Sequence, residues 1–240
     1  MLVDGGGVYG EGFDIGRSVV APFLWHEGIG KIDVVVLTHA HTDHLGGLPF
    51  LLENFRVREV WSNGESADTV LYRRFLEIIQ RKGIKHRIIK DREKEMQLGS
   101  IGIRLFNAEE PDFSGKNLNE KSLMMRVTLG KVSLLLPGDI ESDNESYLLK
   151  NGFDLRSQIL FVPHHGSRKS SSAPFLNAVK PQIALISCGA DNTFGFPHQE
   201  LLERYEAAGI KIFRTDLQGA ITISTDGRNI RTESYKKVNP

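Results

Sequence analysis

Apolar residues along the chain follow two alternating periods. Ile32 to Leu37 is almost continuously apolar and rich in β-branched residues, as a strand buried on both faces must be. From Asp68 to Lys82 the apolar residues Val70, Leu71, Phe75, Ile78 and Ile79 recur at helical spacing, and Gly83 supplies a stop. Ile101 to Phe106 alternates with period two, which predicts a half-buried strand. Leu123 to Leu129 and Val132 to Leu136 flank Gly130-Lys131 and predict a hairpin. Gln158 to Val162 and Gln182 to Ser187 predict two further strands, separated by a helix that Ser172 caps and Pro174 opens. Glu200 to Ala208 predicts an amphipathic helix closed by Gly209. Ile221 to Ser224 and Asn229 to Ser234 predict a last hairpin across Asp226-Gly227.

The alternation runs the whole length, with no linker, repeat or low-complexity segment beyond Ser170-Ser-Ser172. Hairpins and strand-helix units mixed at both ends predict an α/β (α+β) fold in which two sheets pack face to face with helices outside, as one domain over residues 1–240. Such a length can bury roughly 70 to 75% of its unfolded surface, enough for a single domain. The 30 basic and 30 acidic side chains cancel, so a polyanionic partner must be held by a local basic set and not by the field of the whole molecule. Cys188 is the one cysteine, which excludes an intramolecular disulfide and a CxxC metal clip; its place in Ile183-Ala-Leu-Ile-Ser-Cys188 predicts packing. The longest apolar runs, Val34 to Leu37 and Leu134 to Pro137, fall far short of the roughly 18 residues of a membrane span. Met1-Leu-Val-Asp-Gly-Gly-Gly7 has neither the charged head nor the apolar stretch of a signal peptide. It reads as the end of a strand entered in mid-fold, so one or more N-terminal strands are expected to lie in a longer protein.

Candidate chemistry is concentrated in Leu37-Thr-His39-Ala-His41-Thr-Asp43-His44-Leu-Gly46-Gly47, directly after the buried strand. His39 and His41 point the same way on an extended segment and can share one metal, while Asp43 and His44 begin the next turn and can face a second. Imidazole and carboxylate together suit Zn, Mn or Fe.

At these residues the chain resembles the metallo-β-lactamase superfamily, whose motif is His-x-His-x-Asp-His, and the resemblance extends along nearly the whole length. It implies a four-layer αββα sandwich and two divalent transition-metal ions. Asp4, in Val3-Asp4-Gly5-Gly6, matches the aspartate that orients the histidine loop from behind the ligands. Asp139, in Leu136-Pro137-Gly138-Asp139, matches the carboxylate that bridges the two metals. A closer likeness is to the C-terminal hydrolase domain of bacterial DNA-internalisation competence proteins of the ComEC type. It is carried by Thr38 to Leu48, Pro137 to Glu141, Val162 to Arg168, Pro181 to Ser187 and Pro197-His198. The His-His-Gly-Ser segment belongs to a subset whose substrates include phosphodiesters. There the resemblance implies that one histidine of His164-His165, preferably His165, completes the second metal site, and that its neighbour reaches a phosphate oxygen. The metal set is then His39, His41, Asp43, His44, Asp139 and His165, and Ser167, Arg168 and Ser170 lie where a phosphate is gripped. Asp43, His164 and His198 form the expected catalytic set. For His198 three roles stay open: ligand, general acid to the leaving oxygen, or helix cap.

Two departures matter. The superfamily usually supplies a third histidine to the first metal, yet none occurs between His86 and His164. His86, in Lys85-His-Arg87, reads as solvated. Competence-type domains place Asn-x-x-Ser in this stretch, matched by Asn119-Glu-Lys-Ser122, so Asn119 and Ser122 are expected behind the ligands and the first metal is expected to be held more weakly. Gly195-Phe196-Pro197-His198 also stands where those relatives often read Gly-His-Pro-His, which leaves only the second histidine. His26, beside Trp25, reads as packing.

The leading expectation is a metal-dependent phosphodiesterase or nuclease acting on DNA, single-stranded in preference, during natural-competence uptake. It would be membrane-associated through a channel region of the same parent protein, and otherwise a soluble cytoplasmic domain. The alternatives are a free-standing hydrolase of a small phosphodiester or lactone, and a metal-bound domain that only docks partners.

Overall fold

The computed structural model describes residues 1–10, 12–107 and 118–236. These fall into two compact units, one drawn from Met1–Asp91 and Lys116–Leu123, the other from Arg92–Gly115 and Met124–Pro240.

In the first unit β1 (Leu2–Val3) is followed by a small hairpin of β2 (Val8–Tyr9) and β3 (Phe13–Asp14), then α1 (Ala21–His26), β4 (Lys31–Leu37), α2 (Thr42–Leu45), α3 (Leu48–Asn54), β5 (Arg56–Ser62), α4 (Val70–Arg81) and β6 (Lys85–Ile88). The sheet order is β1-β4-β5-β6, parallel throughout, with Val35 beside Leu2 and Val60, and Val60 beside His86. β4 is buried from Val34 to Leu37, as its continuous apolar run requires. Val35, Leu37 and Val60 meet Leu48, Leu51 and Leu52 of α3 and Tyr72, Phe75, Ile78 and Ile79 of α4 in one core. The α4 face differs by one residue from the expected one. Val70, at the first helical position, is 74% exposed, and Tyr72 takes its place. Thr69 caps the helix by accepting the Tyr72 backbone N–H, and Gly83 ends it at φ +63°.

Two histidines depart from the sequence reading. His86 is not solvated: on β6 its ring meets Phe75 edge-on and its Nε2 lies 2.9 Å from Ser62 Oγ, while burial pushes its pKa down. Alternation along the edge strand turns it inward while Lys85 stays exposed. His26 is exposed at the end of α1, and the packing there belongs to Trp25, stacked on Phe55.

The second unit holds a seven-stranded sheet in the order β13-β12-β11-β10-β9-β8-β7. The strands are β7 (Glu93–Leu98), β8 (Ile101–Asn107), β9 (Leu123–Leu129), β10 (Val132–Leu136), β11 (Ile159–Phe161), β12 (Ile183–Ile186) and β13 (Lys211–Arg214). β9 and β10 form the expected hairpin, and β10 to β13 run parallel. On one face Phe106, Met124, Leu135, Leu160, Ala184 and Ile186 pack against α5 (Ser142–Lys150), α6 (Ala173–Val179) and α7 (Gln199–Ala207). On the other, Val132, Ile159, Ile183 and Phe213 meet Ile221, Ile223 and Ile230 of the hairpin β14 (Ile221–Thr225) and β15 (Ile230–Ser234). Burial on both faces explains why these central strands read as unbroken apolar runs. Cys188 packs beside the first of these cores, and burial together with hydrogen bonding to Asp216 pushes its thiol up to about 12. Among the described residues no helix is long and apolar enough to cross a membrane.

One buried carboxylate sets an acid limit on the first unit. Glu59 accepts from Arg87 Nε at 2.6 Å and Trp61 Nε1 at 3.1 Å, and these bonds hold its pKa down at about 2. Its share of stability is therefore present above the unfolded carboxylate value and lost as pH falls through the folded one. Wild-type thermal midpoints should drop between roughly pH 4.5 and 2, and Glu59→Gln should flatten that part of the profile. An unchanged slope in the variant would remove Glu59 from the acid limit.

Candidate metal centre

In the first unit β4 runs out into Thr38 and the histidine loop. Asp4 leaves β1 with φ +56°, its N–H bonded to the Val36 carbonyl at 2.8 Å. Its Oδ1 accepts the Thr38 backbone N–H, and its Oδ2 accepts the Thr38 hydroxyl, both at 2.8 Å. Oδ2 also lies 2.7 Å from His44 Nδ1. With Nδ1 donating to this carboxylate, the neutral ring of His44 keeps its lone pair on Nε2, the tautomer a ligand needs. The same reasoning reaches His39, which is fully buried. Its Nδ1 is 3.1 Å from Thr38 Oγ1, whose own proton is given to Asp4, so Nδ1 donates and Nε2 keeps the lone pair. That Nε2 lies 3.1 Å from His41 Nδ1.

The segment from Leu118 to Ser122 supports this loop. Ser122 is buried with Oγ 3.5 Å from His39 Nδ1, the Asn119 carbonyl accepts the Ser122 N–H, and the Leu123 N–H bonds the Thr38 carbonyl. Close packing of glycines fixes the far side. A Cβ on Gly47 would fall 2.2 Å from the Gly5 carbonyl oxygen, so only glycine lets the two loops touch, and the Gly5 N–H bonds the His44 carbonyl at 2.7 Å. Tyr9 belongs to this neighbourhood and has no signal in the sequence. Its phenol is pushed up by burial and further by the Asp43 carboxylate.

In the second unit β10 ends in Pro137-Gly138 and Asp139, which is buried. β11 ends in Pro163, after which His164, His165 and Gly166 take φ of +50°, +53° and +92°. Left-handed backbone at two successive histidines is costly and persists only where the surroundings hold it. It separates the two rings. His165 Nδ1 donates to the Ser187 carbonyl at 2.8 Å, leaving the Nε2 lone pair 3.7 Å from Asp139 Oδ2. His164 Nδ1 lies 3.1 Å from Glu141 Oε1 instead. His198 is the N-cap residue of α7, but its Nδ1 accepts the Arg168 backbone N–H at 3.1 Å, so the proton of the neutral ring is on Nε2. Ser167 is buried with its hydroxyl on the Lys169 N–H. Ser170, expected to grip phosphate, is 1% exposed and donates to the loop's own carbonyls, so its role is to shape the loop. Arg168 and Lys169 are exposed, each about 4 Å from one carboxylate, Glu200 and Glu141 respectively.

Residues 1–190 match the description "Metallo-beta-lactamase superfamily". The chain belongs to the metallo-β-lactamase superfamily. It is 30% identical over 209 residues to ComE operon protein 3 of Bacillus subtilis and 33% identical over 223 residues to competence protein ComA of Neisseria gonorrhoeae. Those alignments take in 87% and 92% of this chain but only 26% and 29% of the two relatives. A crystal structure from Parabacteroides distasonis, of a protein described as a metal-dependent hydrolase, shares the fold with a TM-score of 0.50 at 18% identity, covering 78% of each chain. The metallo-β-lactamase fold expected from the histidine motif is thereby established, and with it a metal-dependent hydrolase scaffold.

The superfamily carries divalent metal ions, and within each unit the donors fit them. Two imidazole nitrogens bound tetrahedrally to one ion at about 2.1 Å stand about 3.4 Å apart, within a few tenths of an ångström of the 3.1 Å between His39 Nε2 and His41 Nδ1. Sequence reasoning had named Asp4 and Ser122, but it gave no sign of Thr38 as the relay between Asp4 and His39.

The loop bearing His165 hangs on a buried carboxylate. Glu145 of α5 accepts the backbone N–H groups of Ser171 and Ser172, and burial pushes its pKa up despite them. Arg204 of α7 donates to the carbonyls of Ser170 and Ser171, and Ser171, at φ +59°, shares a hydrogen bond with Tyr205. Glu145→Ala leaves two N–H groups without their acceptor and should cost about 2 to 4 kcal/mol of stability. Denaturant unfolding measures it, and a loss under about 1 kcal/mol would mean the loop is held elsewhere.

Proposed function

We propose that the chain is a phosphodiesterase acting on single-stranded DNA with two divalent metal ions, and that both units serve one hydrolase domain over residues 1–240. The observation that carries the reading is the control of histidine tautomers: His39, His44 and His165 each commit Nδ1 to a protein acceptor, which puts the lone pair on Nε2, as metal ligation requires. His39 and His41 hold the first ion, His44 and His165 the second, and Asp43 and Asp139 supply the carboxylates. Zn and Mn suit this set best, with Fe next. When bound, such ions polarise a phosphoryl oxygen and acidify water.

The remaining steps belong to the chain's own groups. Arg168 and Lys169 bind the phosphate, and the buried Ser167 hydroxyl holds the backbone that presents them. His164, whose Nδ1 lies 3.1 Å from Glu141 Oε1, reaches a phosphate oxygen from Nε2 as the imidazolium, with a proton on each nitrogen. His198, with its proton on Nε2, donates a hydrogen bond to the leaving oxygen, and the proton that oxygen takes up is the one lost by the attacking water. DNA as the substrate, and a membrane channel region of one parent protein as the neighbour, follow from the likeness to DNA-internalisation competence proteins, and one relative several times longer than this chain is named as a competence protein.

Metal content tests the ligand assignment. His39→Ala with His41→Ala should lose one equivalent, and Asp43→Ala with His44→Ala the other. The first should be released more readily on dialysis, since it has one protein ligand fewer. Full metal in both double variants would sink the assignment. Substrate class is tested by removing Arg168 and Lys169 together, which should make the salt dependence of single-stranded DNA binding shallower by about 1.4 in log–log slope. Hydrolysis of a small chromogenic phosphodiester should fall much less. Equal losses on both substrates would favour a small-ester hydrolase.

A further inference from the structure

The loop from Gly189 to His198 carries two phenylalanines that the mechanism leaves unused. Phe194 is 70% exposed, and its ring stacks on Phe196 with centroids 5.5 Å apart and planes 18° from parallel. Phe196 in turn meets His164 edge-on at 5.6 Å and His198 at 5.1 Å. The exposed ring is therefore the outer member of a stacked pair whose inner ring abuts, edge-on, the two histidines assigned to the phosphate and the leaving oxygen. Asn192 stiffens the loop: its Nδ2 donates to the carbonyls of Gly189 and Phe196, and its Oδ1 accepts the Phe196 N–H. A single exposed apolar side chain needs no explanation. A stacked pair, braced by one asparagine and adjoining the His198 ring to which Arg168 donates, has a definite use.

We propose that the Phe194–Phe196 pair is a stacking platform for an unpaired nucleobase, next to the phosphate held by Arg168 and Lys169. Aromatic faces beside cations are the arrangement by which single-stranded nucleic acid is held without sequence preference, because every base offers a π-face. A base inside a duplex has both faces covered, so the platform selects unpaired strands. The inference rests on the DNA reading above and deepens it by naming what separates a strand from a small diester. It also gives a purpose to Phe196, at a position where histidine is common in the competence-type sequences.

Binding of labelled, phosphorothioate-linked strands, which resist cleavage, tests it by fluorescence anisotropy. Two strands of equal length are compared, one with bases and one abasic, on wild type, Phe194→Ala and Phe194→Trp. Wild type should bind the base-bearing strand about tenfold more tightly than the abasic one. Phe194→Ala should lose that preference by weakening on the base-bearing strand alone, and Phe194→Trp should keep it. If Phe194→Ala binds the base-bearing strand as wild type does, or weakens equally on both strands, the platform is overturned while the DNA reading stands. Wild type that binds neither strand overturns the DNA reading, and the platform with it.

Discussion

A neutral imidazole can serve a cation only through the nitrogen that has no proton, so every ligand histidine needs a fixed acceptor for its other N–H. Around that requirement both units are arranged. In the first, one carboxylate, Asp4, answers for His44 directly and for His39 through the Thr38 hydroxyl. In the second, the backbone carbonyl of Ser187 does the same for His165. Neither acceptor is a ligand itself, and each belongs to an element other than the one bearing the histidine. The parallel strands therefore matter less for what they carry than for where they end: β1 beside β4, and β11 beside β12.

Delivering side chains so closely forces the backbone into unusual conformations. Asp4, His164 and His165 all adopt positive φ, which costs roughly 1 to 3 kcal/mol each and persists only where the surroundings over-determine it. The surroundings do so differently in the two units. Around Asp4 the constraint is steric, through glycines that pass one another with no room for a Cβ. Around His165 it is polar, through a buried carboxylate and a guanidinium that between them satisfy the backbone of residues 170–172. The loop from His39 to His44 thus depends on glycines distant in sequence, and the His164–His165 turn on helices α5 and α7.

The missing third histidine and the extra phenylalanine fit one physical picture. In the stretch where the superfamily usually supplies another imidazole this chain carries Asn119-Glu-Lys-Ser122, and the Ser122 hydroxyl lies 3.5 Å from His39 Nδ1. Ligand strength is thereby traded for support of a ligand already present. At Phe196 the ring offers only aromatic contacts: it stacks on Phe194 and meets His164 and His198 edge-on. On the proposed reading, one change leaves the first metal with fewer protein ligands and the other offers a surface to a planar, unpaired group.

Local patterns determined a good deal. The periods of β4, α4 and the β9–β10 and β14–β15 hairpins, the Ser172 cap and the His39–His44 spacing depend on neighbours within a few residues, so they were legible in the sequence. The superfamily followed from that spacing. Contacts between distant segments were not legible, because nothing local specifies them. Tyr72 instead of Val70 faces the α4 core, since burial depends on where α3 lies. His86 is half-buried against Phe75, a helix away, and His26 is left exposed. His164 and His165, adjacent in sequence, were separable only by the left-handed turn that sends one ring to Glu141 and the other to Ser187 and Asp139. Glu145 reads as an ordinary surface glutamate on a short helix; its burial beneath residues 171–172 is decided wholly by how α5 packs against that loop.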